Sequence, residues 1–189
     1  MIKGGVIREV IAWYATRHGE DRVVVLRDRL APDVQEWIDP AHPLESLLPA
    51  SWYPARLVHG LLEAVAKDHT EAEIGAILRE ASRSVIRRGG GVYRVLLAKL
   101  LTPDLYALAV PRFWRQLHTT GVRSMRITGP CEAESRIEDW AGHHPLLCTC
   151  VIETMCAIFE HMGKQDVAWT RLSCVSKGGA ACVTRLTWR

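Results

Sequence analysis

The stretch Met125-Arg126-Ile127-Thr128-Gly129-Pro130-Cys131-Glu132-Ala133-Glu134-Ser135-Arg136-Ile137 decides the fold. Before it, apolar residues recur at helical spacing. Within it they alternate with charged ones: Met125 and Ile127 with Arg126, then Ala133, Ser135 and Ile137 with Glu134 and Arg136. A period of two marks a half-buried strand, and Gly129-Pro130 between the runs marks a hairpin. Downstream, Pro145 opens a helical stripe of Leu147, Val151, Met155, Ile158 and Met162, which Gly163 stops. Two further strands, over 166–175 and 181–188, are joined by Ser176-Lys177-Gly178-Gly179. Residues 121–189 therefore read β-β-α-β-β.

Working outward, residues 1–120 read as helices. Val6, Val10, Trp13 and Tyr14 share a face, with Gly19 as a stop, and Val23, Leu26 and Leu30 repeat the spacing up to Ala31-Pro32. Two nearby prolines make 39–43 a loop. Ser51 reads as the N-cap of a helix carrying Leu57, Val58, Leu61, Leu62, Val65 and Ala66. Thr70 to Glu73 is a capping box, and Arg87-Arg88-Gly89-Gly90-Gly91 ends the helix behind it. Val92–Leu101 reads as another helix, Thr102-Pro103-Asp104 as the cap of a short one, and Pro111–His118 as a third, closed by Gly121. The expectation is one α+β domain over 1–189, helices packed on an antiparallel sheet of about four strands.

Composition excludes several classes. A chain of 189 residues with 48% hydrophobic content is neither disordered nor low-complexity. The net charge of +3 comes from scattered residues rather than a basic stripe, so no nucleic-acid partner is expected. No apolar run approaches the ~20 residues of a membrane span, and no targeting segment opens the chain, which predicts a cytoplasmic protein. The patterns Gly-x-Ser-x-Gly, His-Glu-x-x-His and Gly-x-Gly-x-x-Gly are absent, and enzyme is the minority reading.

The six cysteines are the sharpest chemical feature. If the last two strands pair about Gly178, Cys174 and Cys182 face each other, and Cys148 on the Pro145 helix can dock beside them. Three thiolates suit a structural zinc, with His144 or Cys150 as fourth ligand; the alternative is buried, inert thiols. Trp114 and His118 stand four residues apart on one helix face, an aromatic wall and a hydrogen-bond donor for a ligand, against ordinary packing as the alternative.

Pro145-Leu146-Leu147-Cys148, the Gly163-Lys164 stop, Cys174 through Cys182 and the terminal Trp188 resemble the 4-vinyl-reductase domain superfamily. That group is related to haem-NO-binding domains and to the Bet3-type subunits of TRAPP vesicle-tethering complexes. With Trp52-Tyr53-Pro54, Thr102-Pro103 and Pro111 to Trp114, the chain is most similar to an uncharacterised myxobacterial family of about 190 residues. The resemblance implies helices on a four-stranded sheet, a homodimer, and a hydrophobic cavity between the layers. In the aromatic-hydrocarbon sensor members three cysteines and a glutamate hold zinc. Cys148, Cys174 and Cys182 match by spacing, while Arg171 stands at the glutamate position. The Tyr-x-Ser-x-Arg clamp for haem propionates is missing, so haem is expected to fit poorly. The functional expectation is a non-enzymatic sensor or adaptor that binds a small apolar ligand and signals to a separate protein; the alternative is a TRAPP-like interaction scaffold with a filled cavity.

Overall fold

The computed structural model describes residues 1–88 and 102–189; the glycines at 89–91 and the expected helix over 92–101 lie outside them. The chain opens with a short strand, β1 (Ile2–Lys3), that leads directly into α1 (Gly4–His18). Gly19, at φ 94°, turns the chain into α2 (Glu20–Asp28), and Pro32 starts the single turn of α3 (Pro32–Gln35). Ser51 is not the helix cap that the sequence suggests. Trp52–Tyr53 form a strand, β2, paired antiparallel with β1, so that α4 (Ala55–Ala66) begins only after Pro54. Tertiary pairing overrides the local capping signal here. The stripe of α4 does bury Leu57, Val58, Leu61 and Leu62.

The capping box is made as its spacing predicts. The Thr70 amide and hydroxyl donate to the Glu73 carboxylate at 2.7 and 2.8 Å, and the Glu73 amide donates back to Thr70 Oγ1 at 3.4 Å. It starts α5 (Glu71–Arg88). The two helices expected around Pro103 and Pro111 are one, α6 (Pro103–Leu117), with Pro111 inside it. Proline removes only one backbone donor, and packing of Tyr106, Val110 and Trp114 into the core carries the helix through.

The sheet follows. β3 (Val122–Gly129) and β4 (Glu132–Glu138) form the expected hairpin. After α7 (Pro145–His161) come β5 (Ala168–Ser173) and β6 (Cys182–Thr187), giving an antiparallel sheet in the order β3-β4-β6-β5. Helix α7 is buried on most sides, as expected of an apolar helix lying between a sheet and other helices. Its outer side meets α5 through Arg83–Glu160 and Arg79–Glu153. The fold is α+β, helices packed on a four-stranded antiparallel sheet. Among the described residues no helix is long and apolar enough to cross a membrane.

Candidate functional site

Two clusters of chemistry-bearing side chains flank the 139–144 turn. The first is a void of about 70 Å³ between α6, α7 and β3, walled by Tyr106, Val110, Phe113, Trp114, Leu147 and Ile158. His118, just past the end of α6, lines it together with Arg123. The chain start fixes His118: Ile2 bridges to it, and Thr119 donates its amide to the Met1 carbonyl at 3.1 Å. The imidazole stacks on Trp114, ring centroids 3.9 Å apart and planes 15° from parallel, while the Trp140 edge abuts both rings. Burial first, then the nearby Arg123 and the N-terminal ammonium, lower the His118 pKa to about 3. The imidazole is therefore neutral, and its buried Nδ1 has no hydrogen-bond partner among the described residues. A buried polar atom without a partner is costly to the fold, and His118 is also a lining residue of the void, which makes the imidazole a candidate ligand contact. Trp114 and His118, the pair picked out by spacing, thus stand together at this void.

Arg123 escaped the sequence reading. Its position has the inner parity of Met125 and Ile127, a signal that was legible: residues 123, 125 and 127 alternate with the exposed 122, 124 and 126.

The second cluster joins His143, Cys148, Cys174 and Cys182, whose ligand atoms all lie within 4.8 Å of one another. All six cysteines are free. The register shift between Arg171 and Ser173 sets Ser173 opposite Val183, which brings Cys174, the residue just after β5, level with Cys182 at the start of β6; a single 3₁₀ turn over 175–177 follows. The two sulfurs stand 3.6 Å apart, close to the ~3.8 Å edge of a tetrahedron with Zn–S bonds of about 2.3 Å. Burial raises the Cys174 thiol, but the Ser176 hydroxyl and amide, the Cys182 thiol and the Arg171 guanidinium outweigh it, and its pKa is lowered. Burial pushes Cys148 and Cys182 up, so they need a cation to ionise.

The histidine in this cluster is His143, with Nε2 3.5 Å from Cys174 Sγ. Burial and the neighbouring His144, Arg171 and His59 lower its pKa and keep it neutral, the form that ligates metal. His144, the sequence candidate, faces the other way: its Nε2 meets Glu63 at 3.0 Å and its ring stacks on His59. Spacing cannot separate adjacent histidines, because the backbone ahead of α7 is extended and sends neighbours to opposite sides. Cys150, the other candidate for fourth ligand, lines the void instead. Arg171 donates to Thr149 at 2.9 Å and lies over the Trp169 ring, a cation near the thiols rather than a ligand.

No family model matches the chain, and no curated protein does. Solved structures do. An H-NOX protein from S. oneidensis in the Fe(II)NO ligation state superposes with a TM-score of 0.72 at 12% identity, covering 100% of this chain and 99% of that one. An unliganded Fe(II) H-NOX protein from K. algicida gives 0.68 at 11% identity over 100% and 97%. A third, from work on modulating heme redox potential through porphyrin distortion, gives 0.66 at 12% identity over 98% and 99%. The chain has the H-NOX fold. This likeness overturns the expectation that haem fits poorly: solved structures with this same fold include an Fe(II)NO-ligated protein and one described for its heme redox potential.

Proposed function

We propose that the chain is a non-enzymatic sensor domain whose cavity takes a small apolar ligand or cofactor contacted by His118. The observation that carries this is that His118, a neutral, buried imidazole with an unpartnered Nδ1, is one of the residues lining an apolar void. Haem is the cofactor to test first. The donor set suits it: His118 offers an imidazole, Trp114 and Phe113 apolar walls, and Arg123 a cation. When bound, haem supplies an iron that takes up a diatomic gas. The void as it stands is far below the ~300 Å³ of a typical ligand pocket, so a macrocycle requires the walls around α6 to part. Trp114, stacked on His118, would wall one side of the site and help exclude water.

Cys148, Cys174, Cys182 and His143 form a structural zinc site in this reading, closing β5 and β6 onto the start of α7. Homodimerisation, a separate signalling partner and kinship with 4-vinyl-reductase domains rest on the sequence motifs. The small void favours one alternative, the TRAPP-like scaffold with a filled cavity.

Native mass spectrometry followed by hemin titration tests the reading. Retention of an apolar compound, or a Soret shift on hemin addition that is lost in His118→Ala, supports it. An empty protein that takes up no hemin turns the assignment to the scaffold.

A further inference from the structure

We propose that the ligand of this cavity carries a carboxylate and that Arg123 receives it; the inference rests on the cavity reading above. Arg123 is only 9% exposed. It sits on β3 opposite Ile137, facing inward with Met125 and Ile127. Its hydrogen bonds go to Ser135 Oγ from Nε and to Met155 Sδ from Nη2, each at 3.3 Å. One acceptor is a hydroxyl and the other a thioether; neither carries charge. Among the described residues no carboxylate pairs with this guanidinium. Elsewhere the fold does match arginine to acid where helices meet: Arg79 with Glu153 and Arg83 with Glu160. A guanidinium stays protonated at any ordinary pH, and a buried, uncompensated charge is strongly unfavourable.

The residue also lines the void beside His118. A ligand that fits must therefore bring an apolar body for Val110, Phe113 and Trp114 and an anionic head for Arg123. A carboxylate meets a guanidinium through two parallel hydrogen bonds, and its single charge balances the one cation present. A phosphate would bring more charge than one guanidinium and a neutral imidazole can offset. Two sources share this chemistry: a small apolar acid, for which the void of about 70 Å³ must open modestly, and the propionate of a porphyrin, for which it must open much further.

The test is calorimetric titration of the intact chain with phenylacetate and its amide, and with hemin and its dimethyl ester. Charge-assisted bonds predict the acid binding about ten- to a hundredfold more tightly than its neutral partner. Arg123→Met abolishes that ratio, whatever it does to the affinity common to both ligands; Arg123→Lys retains part of it and controls for folding. An acid preference confined to phenylacetate identifies a small acid, and one confined to hemin identifies a porphyrin. Equal binding of acid and neutral partner, or a preference that survives Arg123→Met, overturns the proposal while leaving the cavity reading intact. If none of the ligands binds, the cavity reading fails and this proposal with it.

Discussion

Acid should unfold this protein through His118. Its folded pKa, about 3, lies below the 6.5 of the free side chain because burial, then Arg123 and the N-terminal ammonium, disfavour the charged ring. Between those values the unfolded chain binds a proton that the folded protein does not. Stability contributed by the neutral imidazole is therefore complete above pH 6.5 and is lost as pH falls toward 3. From the two pKa values the loss between pH 7 and pH 5 is about 2 kcal/mol, and the limit near pH 3 approaches ~5 kcal/mol. A total stability of about 5–15 kcal/mol makes either figure easy to measure. The assay is urea denaturation of the ligand-free protein at pH 7, 6 and 5, compared with His118→Phe, which keeps a ring against Trp114. His18, His59 and His143 also have lowered pKa values, but they are common to both proteins and cancel in the difference. The wild type should lose about 2 kcal/mol more than the variant between pH 7 and 5. Parallel curves would show that His118 protonates freely in the folded state, and the argument for an unsatisfied neutral imidazole would fall.

Elemental analysis of the purified chain should find about one zinc per molecule, sharply reduced by Cys148→Ser, Cys174→Ser or His143→Ala and retained in His144→Ala. Full metal content in Cys174→Ser would remove the site. Gly4→Ala should lose about 1–3 kcal/mol in chemical denaturation, since its Cβ would lie 2.2 Å from the Leu48 carbonyl oxygen and 2.7 Å from Tyr53 Cε2; an unchanged midpoint would contradict the close approach of α1 to β2. Chelation of the metal should change ligand affinity about five-fold or more in the wild type but not in Trp140→Leu, because the Trp140 ring touches Trp114, His118 and His143. Equal affinities with and without chelator would leave the sites independent.

Much of the architecture was readable because it is local. The alternation around Gly129-Pro130, the stripe behind Pro145 and the capping box at Thr70 each act within a few residues, and the structure realises all three. The errors came where distant segments intervene. Ser51 has the chemistry of a cap, yet β1, about fifty residues earlier, recruits Trp52 and Tyr53 into a strand. Pro111 looks like a break, yet core contacts on both sides hold the helix through it. In the sites, Cys148, Cys174 and Cys182 could be placed together from strand and helix direction alone. The choice between His143 and His144 could not, because it depends on which side of one extended segment faces the thiols. Arg123 was legible as inward-facing from its parity with Met125 and Ile127, but that its guanidinium meets only Ser135 and Met155 depends on β4 and α7 and could not be read from the strand.

The 139–144 turn explains why the two clusters belong to one design. Gly121, at φ +82°, is the turn's neighbour across the hairpin base, and a Cβ there would meet the Trp140 Cβ at 3.0 Å. That close approach lets Trp140 sit 6% exposed with its edge on the Trp114 and His118 rings. Three residues on, the same turn delivers His143 to the thiols, its ring 5.4 Å from Trp140. Packed aromatic rings do not slide independently, since interiors are as dense as organic crystals. A ligand that parts the walls near Trp114 must therefore move Trp140, and moving Trp140 displaces the segment that holds His143. A metal held at His143, as proposed above, would resist that displacement. In the proposed reading the cluster would set how far Trp140, and with it the Trp114 side of the cavity, can move when a ligand enters.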